Sequence, residues 1–281
     1  MPPMSSSLPP EAASSPLSSS PSSPVLSCDA LVAVLRAGGC VFAEEEAELI
    51  LAAARTPDEA AAMARRRAAG LPLEHVVGWA EFHGLRVRVE PGVFVPRRRT
   101  EFLVDQALAA APHARVVVDL CCGSGAVGAA LAASLGQVEL HAADIDPAAV
   151  RCARGNIADH GGHVHTGDLF MALPDGLRGR IDILAANVPY VPTGEVPLLP
   201  AEAREHEPLA ALDGGDDGLH VLRRVAAEAR RWLAPGGCLL VETGERQAPA
   251  AVEAFARGGL TVRVARDEER YAQVVVGTRV S

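Results

Sequence analysis

The sequence predicts an α/β protein: a doubly wound, mostly parallel sheet preceded by a small helical region. Three observations carry that expectation. From Thr100 onward, apolar runs of strand length alternate with Ala/Leu-rich helical stretches, the pattern of a sheet covered by helices on both faces. An early run, Arg115 to Leu120, passes directly into Cys121-Cys122-Gly123-Ser124-Gly125, a glycine-rich strand-to-helix turn. The chain has 281 residues and 49% apolar content, enough for one full α/β domain and a small accessory one.

Residues 1–24 are rich in Ser and Pro and almost uncharged. They lack the basic start and apolar run of a signal peptide, and they read as a disordered tail. The helical region is assigned to residues 25–80. Between Asp29 and about Ala69 it holds three short amphipathic helices, the second rich in acids at Glu44, Glu45, Glu46 and Glu48, the third opened by Pro57-Asp58. Residues 81–99 are expected to form a linking β-hairpin, with Leu85 to Val89 as one arm and Val93 to Val95 as the other across Pro91-Gly92. The remaining domain spans 100–281. Its strands are placed at Arg115–Leu120, Val138–Ala143, Val164–Thr166, Ile181–Ala186, Cys238–Thr243, Thr261–Ala265 and Tyr271–Gly277, and a helix runs through about Leu135 after the glycine turn. Only the short polar segment Arg266 to Arg270 joins the last two strands, so they form an antiparallel pair at one edge.

Gly123 and Gly125 let the backbone approach a ligand where a Cβ would obstruct it. Asp144 ends the next strand about twenty residues beyond Gly125, where an acid takes two ribose hydroxyls in a Rossmann-like fold. The G-x-G-x-x-G dinucleotide fingerprint is not met, because Cys121 stands at its first glycine. Asp119, at the front of the turn, belongs where a ligand is positively charged. S-adenosylmethionine carries an ammonium, a ribose and an adenine but no phosphate. Asp119, Asp144 and Asp168 would then lie near the ammonium, the ribose and the adenine amine in turn, although Asp168 reads equally well as a strand-end cap.

Asn187-Val188-Pro189-Tyr190 follows the apolar run Ile181 to Ala186. The Asn187 side-chain oxygen and the Val188 carbonyl can accept both hydrogens of an NH2 group, while the Tyr190 ring lies against the planar group. Such a tetrapeptide also occurs as an ordinary turn with a core Tyr. The upstream turn and acids favour the chemical reading.

Asp119 to Gly125, Asp144, Gly167-Asp168-Leu169-Phe170, Asn187 to Tyr190 and the run Glu207 to Leu219 together resemble the HemK/PrmC type of protein-glutamine methyltransferase. So do Phe82-His83-Gly84-Leu85 and Pro91 to Arg97, and the resemblance extends from about Leu71 to Thr278. It implies a class I S-adenosylmethionine-dependent methyltransferase sheet with an N-terminal substrate-binding helical domain. It also implies transfer of a methyl group from S-adenosylmethionine, leaving S-adenosylhomocysteine, to a glutamine amide in the Gly-Gly-Gln loop of a class I peptide chain release factor. By the same resemblance Asp119, Cys121, Cys122, Gly123, Ser124, Gly125, Asp144, Asp168, Leu169 and Asn187 bind the cofactor, and Asn187, Val188, Pro189 and Tyr190 carry the reaction. No metal is implied.

Three departures from the family stand out. Val188 replaces a usual Pro, which keeps the carbonyl while Pro189 still restricts the residue before it. Arg98-Arg99 replaces a usual Pro-Glu and bears on partner choice. Cys121 replaces a glycine and is expected to be the mildest change.

All 26 basic residues are Arg. The absence of Lys excludes Schiff-base chemistry and a P-loop lysine. A net charge of −9 disfavours nonspecific nucleic-acid binding. Methylation of an exocyclic amine in DNA or RNA, or of a small molecule, is the alternative, and a cofactor-binding module without catalysis is a third reading. Arg65-Arg66-Arg67 reads as a solvated helix face, and Arg97-Arg98-Arg99 equally as a solvated loop or a substrate contact. The six cysteines show no metal spacing and read as reduced thiols of a cytoplasmic protein, and no run is long enough for a membrane span. His141, His163 and His165 read as strand histidines.

Overall fold

The computed structural model describes residues 27–280. The expected tail at 1–24 lies outside them. Helices α1 (Cys28–Ala37), α2 (Ala43–Ala53), α3 (Pro57–Ala68) and the single turn α4 (Leu73–Val77) form the first layer. Ser27 Oγ caps α1 by accepting from Ala30 N at 3.2 Å, and Thr56 Oγ1 caps α3 by accepting from Glu59 N at 3.1 Å, with Pro57 supplying the preset first turn. Leu31, Leu35, Ala47, Ile50, Met63 and Val76 bury this layer's apolar faces against one another.

Strands β1 (Trp79–Phe82) and β2 (Leu85–Arg88) form an antiparallel hairpin with Phe82 opposite Leu85. This corrects the expected hairpin: its first arm lies upstream, and it starts at residue 79 rather than 81. The two turn residues, His83 and Gly84, have φ of 49° and 74°, the double positive φ that closes a two-residue hairpin. Val93 and Val95 are not strand. Val93 N closes a turn on the Glu90 carbonyl at 3.1 Å, and Val95 is buried with Ala80 and Val89.

Then follow α5 (Glu101–Ala110), β3 (Val116–Leu120), α6 (Ala126–Leu135), β4 (Glu139–Asp144), α7 (Pro147–Ile157), β5 (His163–Thr166), β6 (Ile181–Ala186), the short helices α8 (Ala201–His206) and α9 (Leu209–Leu212), α10 (His220–Trp232), β7 (Leu233–Glu242), α11 (Ala248–Arg257), β8 (Thr261–Asp267) and β9 (Ala272–Thr278). The seven strands of this sheet run β5-β4-β3-β6-β7-β9-β8, with β9 antiparallel to both neighbours and the other pairs up to β7 parallel. The expected antiparallel edge pair is therefore present, with the last strand inserted beside β7. Strand β7 begins earlier than its apolar run, because Leu233 already pairs with Ile181 before a register shift brings Cys238 opposite Ile183.

Every residue of β3 is buried, as a central parallel strand with helices on both faces requires. Chain order reverses between β3 and β6, so the crevice at their carboxyl ends is the switch point of the sheet, where ligands of such folds bind.

Candidate active site

A cavity of about 930 Å³ opens at that switch point. Its floor is made by the ends of β3, β4 and β6, and its roof by Leu199, Pro200, Glu202, Ala203 and the stretch Glu207 to Asp213. The volume is that of a site for a drug-sized ligand with room beside it.

Asp119 is 1% exposed, and its Oδ2 accepts from Gly128 N at 2.9 Å. Burial pushes its carboxyl up to about 7, against the opposing pull of that hydrogen bond. Asp144 accepts from Gly123 N with Oδ2 and from Asp146 N with Oδ1, both at 2.9 Å, so the acid at the end of β4 also fixes the glycine turn. Its carboxyl is raised, again chiefly by burial. Ile145, 59% exposed beside it, offers an apolar surface that sequence reasoning overlooked.

The two turn glycines serve different ends. At Gly123, φ is 53° and an added Cβ would meet only the Phe94 side chain at 3.9 Å, so the backbone itself faces open space. At Gly125, φ is 77° and a Cβ would lie 3.0 Å from Ala153 Cβ, so the absence of a side chain there also lets α7 pack close. Cys121 sits at φ 54°, a left-handed conformation that costs a side-chain-bearing residue about 1–2 kcal/mol, a cost the usual glycine would not carry. Cys122 is buried, and burial holds its thiol well above the usual range. Ser124 is buried too, with its carbonyl accepting from Asn156 Nδ2 at 2.8 Å.

Asp168 lines the cavity but is ion-paired, its Oδ2 2.6 Å from Arg224 Nη2 on α10. Leu169 follows at φ 49°. Arg224 is thus a further cavity residue that the strand-end pattern did not indicate.

At the end of β6, Asn187 Oδ1 is buried and has no hydrogen-bond donor among the described residues. A buried amide oxygen without a donor is uncommon and points to a missing polar partner. Val188 and Pro189 are buried, and Tyr190 is half-buried. The run Glu207 to Leu219 holds this tetrapeptide. Val191 N donates to the Leu212 carbonyl at 3.0 Å and Gly214 N to the Val191 carbonyl at 2.8 Å. A Cβ on Gly214 would stand 2.7 Å from the Pro189 carbonyl, and one on Gly218 2.1 Å from the Tyr190 carbonyl. Gln247 Nε2 also donates to the Tyr190 carbonyl at 2.8 Å. Gly214 and Gly218 of this run are therefore the clearance for Pro189 and Tyr190.

Of the two basic clusters, Arg67, Arg97 and Arg99 are tied down, whereas Arg65 and Arg66 are exposed, as a solvated helix face requires. Arg97 pairs with Glu207, and Arg99 reaches both Tyr190 and Glu242, leaving Arg98 exposed. Arg67 departs from the expected solvated face. It donates to both Glu46 oxygens at 2.7 and 3.0 Å, to the Leu71 carbonyl at 2.9 Å and to Glu202 of the cavity roof at 3.0 Å. His141 on β4 and His165 on the edge strand β5 lie with Nδ1 and Nε2 2.9 Å apart, and burial lowers the proton affinity of both. Among the described residues no helix is long and apolar enough to cross a membrane.

These residues fit S-adenosylmethionine: an open glycine backbone, a carboxylate at the end of β4, a buried acid on β3 and an unpartnered amide oxygen on β6 surround one cavity. The comparisons agree. Residues 84–197 match the methyltransferase small domain. A release factor glutamine methyltransferase of Geobacter sulfurreducens is 39% identical over 229 residues, 80% of each chain. A 4-amino-L-phenylalanine/4-methylamino-L-phenylalanine methyltransferase of Streptomyces pristinaespiralis is 37% identical over 202 residues, 69% of this chain and 68% of that one. A methyltransferase structure from Pyrococcus furiosus superposes with a TM-score of 0.53 at 16% identity, covering 70% of this chain and 90% of that one, which speaks to fold alone.

Proposed function

The chain belongs to the release factor glutamine methyltransferase family, and on that footing we propose that it methylates a glutamine side-chain amide in the Gly-Gly-Gln loop of a class I peptide chain release factor. The observation that carries this reading is the buried Asn187 oxygen without a donor, at the end of β6 beside the cavity.

The cofactor, when bound, supplies an electrophilic methyl group on a sulfonium. In this reading Asp144 accepts from its ribose hydroxyls, Asp119 faces its ammonium, and the Gly123 backbone leaves room for it. Asn187 Oδ1 and the Val188 carbonyl accept the two hydrogens of the substrate amide. An amide lone pair is delocalised and poorly nucleophilic, so these acceptors orient it and favour the positive charge that develops on nitrogen, which gives up one of its two protons to bulk water as the N-methyl amide leaves. Fixed dipoles of this kind typically account for about 100 to 1,000 in rate per group. The Tyr190 ring backs the planar amide, and the roof from Leu199 to Asp213 keeps water out. Holding nitrogen and methyl group at attack distance accounts for much of the rest.

The experiment is incubation with S-adenosylmethionine and a class I release factor from the same cell, with peptide mass spectrometry of the loop. One added methyl on the glutamine is expected. A second reading, methylation of a small-molecule amine, is favoured by the similarity to the aminophenylalanine enzyme. Methylation of free 4-amino-L-phenylalanine with none of the release factor would select it.

A further inference from the structure

A smaller cavity of about 370 Å³ lies beside the large one, and the residues lining both are Arg99 and Tyr190. Arg99 Nη2 donates to the Tyr190 hydroxyl, and the guanidinium lies 5.6 Å from the centre of its ring. Arg99 Nε is 2.9 Å from Glu242 Oε1, and the other Glu242 oxygen accepts from Thr100 Oγ1 at 2.6 Å. Glu242 and Thr100 are both buried. The chain Thr100–Glu242–Arg99–Tyr190 thus runs from the buried end of β7 to the aromatic ring of the tetrapeptide.

Each link has a physical reason to hold. A carboxylate as buried as Glu242 needs its charge and lone pairs met, and Arg99 and Thr100 meet them. A guanidinium keeps its charge at every working pH and offers donors in a fixed fork, so one face of Arg99 grips Glu242 while another reaches the phenol. The main chain of Tyr190 is held separately, by Gln247 and the clearance at Gly218. Its ring has Arg99 as its polar anchor.

We infer that Arg99, braced by Glu242, is the residue that positions the Tyr190 ring and thereby the wall between the two cavities against which the acceptor nitrogen is held. The inference rests on the reading of Tyr190 as that wall. A bland alternative is that Arg99 only neutralises Glu242. The two differ in one respect: with Glu242 made neutral, loss of Arg99 is harmless to a neutraliser and still harmful to a positioner.

The chain contains two tyrosines, Tyr190 and Tyr271. The full chain carrying Tyr271→Phe, labelled with 3-fluorotyrosine, therefore reports Tyr190 as a single fluorine resonance. In that background Arg99→Met is expected to move and broaden the resonance and to lower kcat for glutamine methylation by about tenfold to a hundredfold, the cost of a misplaced group, with cofactor affinity unchanged within about twofold. Arg99→Lys is expected to recover part of the turnover. Arg99→Met combined with Glu242→Gln is expected to remain slow. An unmoved resonance, an unchanged kcat, or full recovery in the double variant would each overturn the inference. If the unaltered chain methylates no glutamine, the functional reading fails, and the resonance alone decides whether Arg99 holds the ring.

Discussion

Arg97 Nη2 donates to both carboxylate oxygens of Glu207, at 2.6 and 2.7 Å, across 110 residues of chain. Val95 N adds a bond to Glu207 Oε1 at 3.2 Å. One buried carboxylate therefore ties the segment after the hairpin to the roof of the cavity. Its carboxyl is raised by burial, with Arg97 opposing. Arg97→Ala leaves that group without its cation, and a loss of about 2–4 kcal/mol in unfolding free energy is expected, below the value for a fully buried pair because Arg97 is partly exposed. Chemical denaturation checks this, and Arg97→Ala with Glu207→Gln should recover much of the loss.

Gly218→Ala should separate holding the tetrapeptide from binding the cofactor. The new Cβ would meet the Tyr190 carbonyl at 2.1 Å and Gln247 Nε2 at 2.3 Å, at a φ of +73°. The conformation alone costs about 1–3 kcal/mol. Turnover is expected to fall at least about tenfold. Calorimetric affinity for S-adenosylmethionine should stay within about twofold, and a large loss there would place Gly218 in the cofactor site instead.

Asp144→Ala should act in the opposite sense. Loss of charge-assisted hydrogen bonds of roughly 1.5–3 kcal/mol each weakens the cofactor by at least about tenfold. The rate at saturation should change less. Unchanged affinity by calorimetry would remove the ribose role.

The pH dependence follows from Asp119. Its folded-state value of about 7 lies above its ordinary 3.8. The stability this confers on the cofactor-free chain is full below 3.8 and is lost as pH rises through about 7. A bound ammonium favours the ionised form, so cofactor affinity should rise with pH up to about 7 and level off above it, with proton release on binding. Calorimetry in buffers of different ionisation enthalpy measures that release. Asp119→Asn should abolish it.

Much of the sheet and the floor of the site was legible in the sequence. Buried parallel strands announce themselves as continuous apolar runs, and the polar residues at their carboxyl ends fall at one crevice by topology, as Asp119, Asp144 and Asn187 do. The first arm of the hairpin was missed because Trp79 to Phe82 is short and its turn uses His83 in a left-handed conformation. The packing of Gly125 and the strain at Cys121 were not legible because they depend on α7 and the local φ, which residue type alone does not encode. Arg224, Gln247 and Glu242 reach the site from elements far along the chain, and only folding brings them to Asp168 and Tyr190.

The most direct test compares the unaltered chain with Asn187→Ala on the same release factor under saturating S-adenosylmethionine, following methyl on the Gly-Gly-Gln glutamine by mass spectrometry. The unaltered chain should add one methyl, and Asn187→Ala should do so about 100 to 1,000 times more slowly while binding the cofactor within a few-fold of normal. Equal rates in the two proteins would contradict the role of the unpartnered Asn187 oxygen and, with it, the assignment of this cavity as the place where the methyl group is transferred.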